Sequence, residues 1–151
     1  MVTNVDAVTV FNGRTDSVTR RKKYIPTVIR GVSCVESKGS TVTNSGVWSA
    51  DVQYRLRIPA DAGIQHGRIY VQEARYAGLD DGEAGSCWTA ARGDMVALGD
   101  CTGSGSPQML YEDEIQKLVQ GHRFSLFRIT EYADNTSGGH PCTRHWRIGG
   151  K

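Results

Sequence analysis

The sequence predicts a mainly β protein, a small antiparallel barrel or sandwich of about seven strands with one α-helix near residues 106–120 and long loops. Three observations carry that expectation. Between Asp51 and Ile58 apolar and polar residues alternate strictly, the period of a strand with one buried and one wet face. Turn-forming residues recur along the whole chain, with 18 glycines against 4 prolines. Only one segment, after Ser106, shows apolar residues at three- and four-residue spacing. With 151 residues and neither an internal repeat nor a linker, residues 1–151 read as one domain. A domain of that size buries roughly 70% of the surface its unfolded chain exposes.

The elements follow in order. VDAVTVFNG reads as a first strand closed by an Asn-Gly turn, and residues 12–24 as a polar, basic loop. YIPTVIRGVSCV reads as a second strand entered through Pro26. Residues 36–50 are rich in Ser, Thr and Gly without periodicity, hence a loop. In DVQYRLRIPADAG, Val52, Tyr54, Leu56 and Ile58 face a core, whereas Arg55 and Arg57 face solvent. Pro59 ends that strand, and GRIYV supplies another. Residues 72–90 read mostly as loop around one helical turn, leading to the short strand GDMVALGD. The helix starts with Ser106 as N-cap and Pro107 at its first position. Its apolar face is Tyr111, Ile115, Leu118 and Val119, and Gly121 is its expected left-handed stop. HRFSLFRITEY, with Phe124 and Leu126 on one face, and TRHWRIGG, with Trp146 and Ile148, complete the strands.

Charge is unevenly distributed although the net is only +2. Residues 14–30 hold six basic side chains against Asp16, with Arg20, Arg21, Lys22 and Lys23 consecutive. Residues 73–114 hold nine acids against two arginines. A molecule so polarised has surfaces able to stack on copies of itself or on neighbours. The basic cluster also suits non-specific contact with nucleic-acid phosphates.

Catalytic and metal patterns are weak. His140, Cys142 and His145 are types that zinc accepts, and Cys87 or Cys101 would have to add a fourth ligand, but the spacing fits no familiar zinc module. The GSGSP preceding the helix lacks the Lys-Ser/Thr of a nucleotide loop. Cys34, Cys87, Cys101 and Cys142 form no CxxC pair and read as free thiols in a reducing compartment. No apolar run approaches the ~18 residues of a membrane helix, and the first residues do not resemble a secretory signal. The expectation is a protein kept in a cytoplasm, without cofactor, metal, membrane partner or enzymatic role.

An opening VTVFN strand, YIPTVIRGV, SADVQYRLRIPADA, WTAARGDMVALGD, a Ser-Pro-initiated helix leading into FSLFRIT, and a terminal HWRIGGK together span most of the chain. In that order they resemble the small structural proteins encoded in the head–tail region of phages infecting Gram-positive hosts, and the layout is similar to the head-closure, or stopper, connectors of long-tailed phages. The resemblance implies a virion protein of the neck, assembled in the host cytoplasm. It implies a homo-oligomeric ring of about six or twelve copies. Its partners would be the portal–adaptor complex, the tail terminator or tail tube, and packaged DNA. Within that reading Arg20, Arg21, Lys22 and Lys23 are candidates to meet DNA or an acidic partner, and Arg55 and Arg57 to meet a neighbouring subunit. The alternatives are a tail terminator or head decoration protein and, from a different class, a small metal-dependent enzyme.

Overall fold

A computed structural model of the chain describes all residues except 1, 4, 5, 17, 43–47, 103–108 and 141–142; side chains are described outside residues 2–3 and 38–51 as well. Its strands are β1 (Val2–Thr3), β2 (Ala7–Thr15), β3 (Lys22–Arg30), β4 (Ser33–Val42), β5 (Trp48–Pro59), β6 (Gly63–Ile64), β7 (Ile69–Tyr70), β8 (Cys87–Trp88), β9 (Met95–Ala97), β10 (Leu126–Asn135) and β11 (His145–Gly150). Helices α1 (Glu73–Gly78), α2 (Asp81–Ala84) and α3 (Glu112–His122) accompany them. Nine strands form one antiparallel sheet in the order β1-β4-β5-β11-β10-β9-β2-β3-β6, and β7 pairs with β8 in parallel.

The large sheet folds over on itself as a sandwich and does not close into a barrel. The fold line is β10. Its first residues, Leu126–Arg128, pair with β9, and from Ile129 onward it pairs with β11. A bulge between Ile129 and Glu131, just past the changeover, interrupts the register with β11. Such bulges bend a strand and let one strand serve two sheet halves.

Alternation fills the space between the halves. Val8 and Val10 of β2, Ile29 of β3, Leu56 and Ile58 of β5, Val96 of β9, Phe127 and Ile129 of β10, and Ile148 of β11 all have at most 1% exposure. Each such side chain contributes about 1.5–3 kcal/mol by leaving water. Trp88 and Trp146 meet edge-on at 5.0 Å between centroids, with Tyr70 against both. Tyr54 stacks on Phe127 at 4.9 Å. The core assignment of the DVQYRLRI strand therefore holds for Tyr54, Leu56 and Ile58, with Val52 half-buried.

The outer face of the second half is covered too. Ile115 and Val119 of α3 pack on Phe11, Tyr24, Met95, Ala97 and Cys101, with Leu118, Phe124 and Leu126 at the margin. On the inner face of β3, Tyr76 of α1 and Ala84 of α2 pack with Ile25, which shares that face with Ile29, and with Val71. Strand β10 thus has an apolar residue on each face at its start, Leu126 toward α3 and Phe127 inward.

Several boundaries differ from the sequence reading. The expected Asn-Gly turn lies inside β2, where Asn12 pairs with Ile25 and Gly13 with Tyr24. Burial explains it: Asn12 exchanges hydrogen bonds with the Thr89 backbone, and its amide also donates to Asp94 at 3.1 Å. Consequently the 12–24 loop shrinks to a turn around residues 16–21, and Lys22 and Lys23 belong to β3. Pro26 does not open β3 but sits in its middle opposite Phe11. The flanking amides of Tyr24 and Val28 bond away from β2, to the Leu110 carbonyl and the Gln65 side chain. Pro26 lacks its N–H on that same side, so the ladder to β2 loses nothing. YIPTVIRGVSCV proves to be two strands, turned at Gly31, whose φ of 81° suits glycine.

Most of the expected 36–50 loop is strand, in β4 and β5, which pair from Ser33↔Arg57 to Val42↔Trp48; residues 43–47 lie outside the described ones. Pairing with a long neighbour outweighs weak local preference. Residues 72–90 contain two short helices, α2 being capped by the Asp80 carboxylate on the Glu83 amide at 2.7 Å. Helix α3 spans Glu112–His122 in place of 106–120. Ser106 and Pro107 fall outside the described residues, and the Tyr111 amide donates to Glu114 at the start of α3. Gly121 stays helical, and Arg123 takes the left-handed position at φ 58°.

Candidate interaction surfaces

The basic cluster lies at the end of the β2–β3 hairpin. Asp16 shapes the turn: its carboxylate accepts from Val18 at 2.8 Å, and its carbonyl accepts from the Arg20 amide. Lys23 reaches back to Asp16 at 2.9 Å, and this contact, foremost, holds the Asp16 carboxyl down to about 2. The same pair raises the Lys23 ammonium. Arg21 lies 3.9 Å from the centre of the Tyr111 ring, and Lys22 lies over Tyr24. Arg20, Arg21 and Lys22 are exposed, and Val18 beside them is 88% exposed. Three of the four cations are thus partly engaged by their own chain, with Arg20 standing clear at the turn.

The second surface is the outer face of β5 and β11. Because Leu56, Ile58, Trp146 and Ile148 point inward, Arg55, Arg57 and Arg147 point outward. Register places Arg57 opposite Arg147, and Arg55 opposite Gly149. Glu131, opposite Gly149 on the other side, lies across that glycine; a Cβ there would come within 2.7 Å of the Glu131 side chain. All three arginines are exposed, and none forms an ion pair among the described residues. Like charges directly opposite on neighbouring strands destabilise a sheet by up to about 1 kcal/mol. Arg147 was missed in the sequence reading, because nothing local marks it; only the β5–β11 register brings it beside Arg57.

The third surface is the acidic lobe of α1 and α2. Arg14 fastens it to β2 by donating to the carbonyls of Tyr76, at 2.6 Å, and Leu79, and to Asp81 at 3.2 Å. Asp80, Asp81 and Glu83 are exposed, Asp81 by 73% despite its contact with Arg14. Glu73 is engaged otherwise, accepting from the Tyr132 hydroxyl at 2.6 Å.

The proposed metal ligands are scattered. Cys101 is buried beneath α3, where burial raises its thiol, and Cys87 packs beside Val71 and Tyr76. His145 lies on β11 with Nδ1 2.6 Å from the Thr143 carbonyl, and Cys142 is outside the described residues. Among the described residues no three His, Cys, Asp or Glu side chains form a group able to hold a metal ion. Nor is any described helix long and apolar enough to cross a membrane.

Fold and surfaces together define an antiparallel β-sandwich, helix-covered on one half and charge-bearing on the other. The chain belongs to the family of unknown function DUF6751, which matches residues 2–151. No curated protein and no solved structure matches it.

Proposed function

We propose that this chain is a structural protein of the phage neck, a head-closure subunit that joins the portal–adaptor complex to the tail and helps retain packaged DNA. The observation that carries this reading is the outer face of β5 and β11. The strand central to the head–tail resemblance, SADVQYRLRIPADA, displays Arg55 and Arg57, which form no ion pair among the described residues. Permanent charge held in fixed register on a rigid sheet suits assembly, since it selects and orients a partner. In this reading the hairpin end, where Arg20, Arg21 and Lys22 are exposed and Lys23 is held by Asp16, meets DNA or an acidic neighbour.

Electron microscopy of immunogold-labelled virions tests the reading. Label at the neck, with about a dozen copies or fewer per particle, is expected. Label over the whole capsid would make the chain a decoration protein, and absence from the virion would end the proposal. For the hairpin, Arg20→Glu with Arg21→Glu should lower the yield of DNA-filled particles; unchanged yield removes the hairpin from the scheme.

A further inference from the structure

We propose that the arginine face of β5 and β11 docks the acidic lobe of a second copy of this chain, with Arg55, Arg57 and Arg147 meeting Asp80, Asp81 and Glu83. The inference rests on reading the protein as a self-assembling structural subunit, and it names the two surfaces that join. On one side three guanidinium groups share a flat sheet face, two of them forced opposite each other by register. A carboxylate placed between Arg57 and Arg147 relieves their repulsion and accepts bidentate hydrogen bonds from either. On the other side, three exposed carboxylates fall within four residues at the start of α2. Glu83 forms no ion pair among the described residues.

The lobe cannot be the intramolecular partner of that face. Strand β2, which holds the lobe through Arg14, stands three positions from β11 in the sheet order, and the β10 fold line lies between them. Glu131 weighs against a nucleic acid as occupant. It sits in the same face beside Arg55 and Arg147 and would repel a phosphate backbone, whereas a partner with discrete carboxylates can avoid it. Since face and lobe are different patches of one molecule, the contact is heterologous, so repetition yields a ring or a filament.

Analytical ultracentrifugation of the purified protein in low salt, up to the highest attainable concentration, reads the contact. Wild-type protein should self-associate, and salt should dissolve the assemblies. Arg57→Glu with Arg147→Glu should weaken association about tenfold or more, and so should Asp81→Arg with Glu83→Arg. Each variant is checked for native unfolding, then the two are mixed. Only the mixture offers opposite charges at every junction, so it should regain assembly that neither variant shows alone. A monomeric wild type, variants that associate like wild type, or a mixture that stays dissociated would each overturn the inference. Retention of the wild type on duplex DNA, lost in Arg57→Glu with Arg147→Glu, would assign the face to nucleic acid instead. The outcome is separable from the virion test: a self-associating protein absent from the neck sinks the neck reading alone.

Discussion

Asp94 is a buried carboxyl whose chemistry departs from its ordinary behaviour. It is 2% exposed, and burial pushes its carboxyl up to about 6, even though hydrogen bonds from Asn12 and the Gly13 amide favour the charged form. The raised value means that the folded state holds the proton after the unfolded chain has released it. Stability is therefore greatest below about pH 4 with respect to this group and falls as pH rises to about 6, by about 3 kcal/mol. Urea unfolding across that range should show the decline in wild type, and Asp94→Asn should flatten it; an equal slope in both would dismiss the assignment. Asp16, held low by Lys23, contributes the opposite trend as pH falls below about 5, and it is present in both proteins, so the difference between their slopes isolates Asp94. Gly150 is a second critical position. A Cβ there would strike the Arg128 carbonyl and the Phe127 ring where β10 and β11 meet. Gly150→Ala should cost about 1–3 kcal/mol, seen as a lower thermal midpoint.

Among the elements, the α1–α2 lobe is tied to β2 by Arg14, beside the packing of Tyr76 and Ala84. Arg14 bonds two carbonyls and one carboxylate of the lobe, so Arg14→Ala removes all three contacts and leaves the Tyr76 carbonyl only its bond from the Leu79 amide. A loss of about 2 kcal/mol is expected, with faster amide hydrogen exchange confined to residues 73–84. Uniform protection loss throughout the sheet would contradict this. The elements also show what a single sequence makes legible. DVQYRLRI was readable because one face is buried and the other wet, so the period of two survives in the residues. The apolar face of α3 was readable for the corresponding reason at helical spacing. Residues 36–42 were not, since Ser, Lys, Gly and Thr become a strand only through the partner β5 supplies. The Asn12-Gly13 pair misled because its turn preference is overridden by buried bonds to Thr89 and Asp94, which lie 77 and 82 residues further along.

At the scale of the molecule, the expected β-rich fold was legible from residue alternation and turn spacing, whereas the fold line at β10 was not. The strand leaves β9 for β11 at Arg128–Ile129, a change of partner that no local residue pattern marks. The same holds for the candidate surfaces. Arg55 and Arg57 could be placed on a wet face from their own strand, but the third arginine needed the register. Polarity between the arginine face and the acidic lobe makes any self-association steeply dependent on ionic strength, while the buried core stays indifferent to it.

Strand β11 has a consequence for the order of events during folding. It occupies residues 145–150, yet it sits between β5 and β10 in the sheet. Until those residues are synthesised, β5 and β10 are unpaired edges, and one half of the sandwich has no floor. Arg147 arrives with that strand, so the complete arginine face exists only in a finished fold. Immature chains lack that face, so any association through it has to wait for the finished fold.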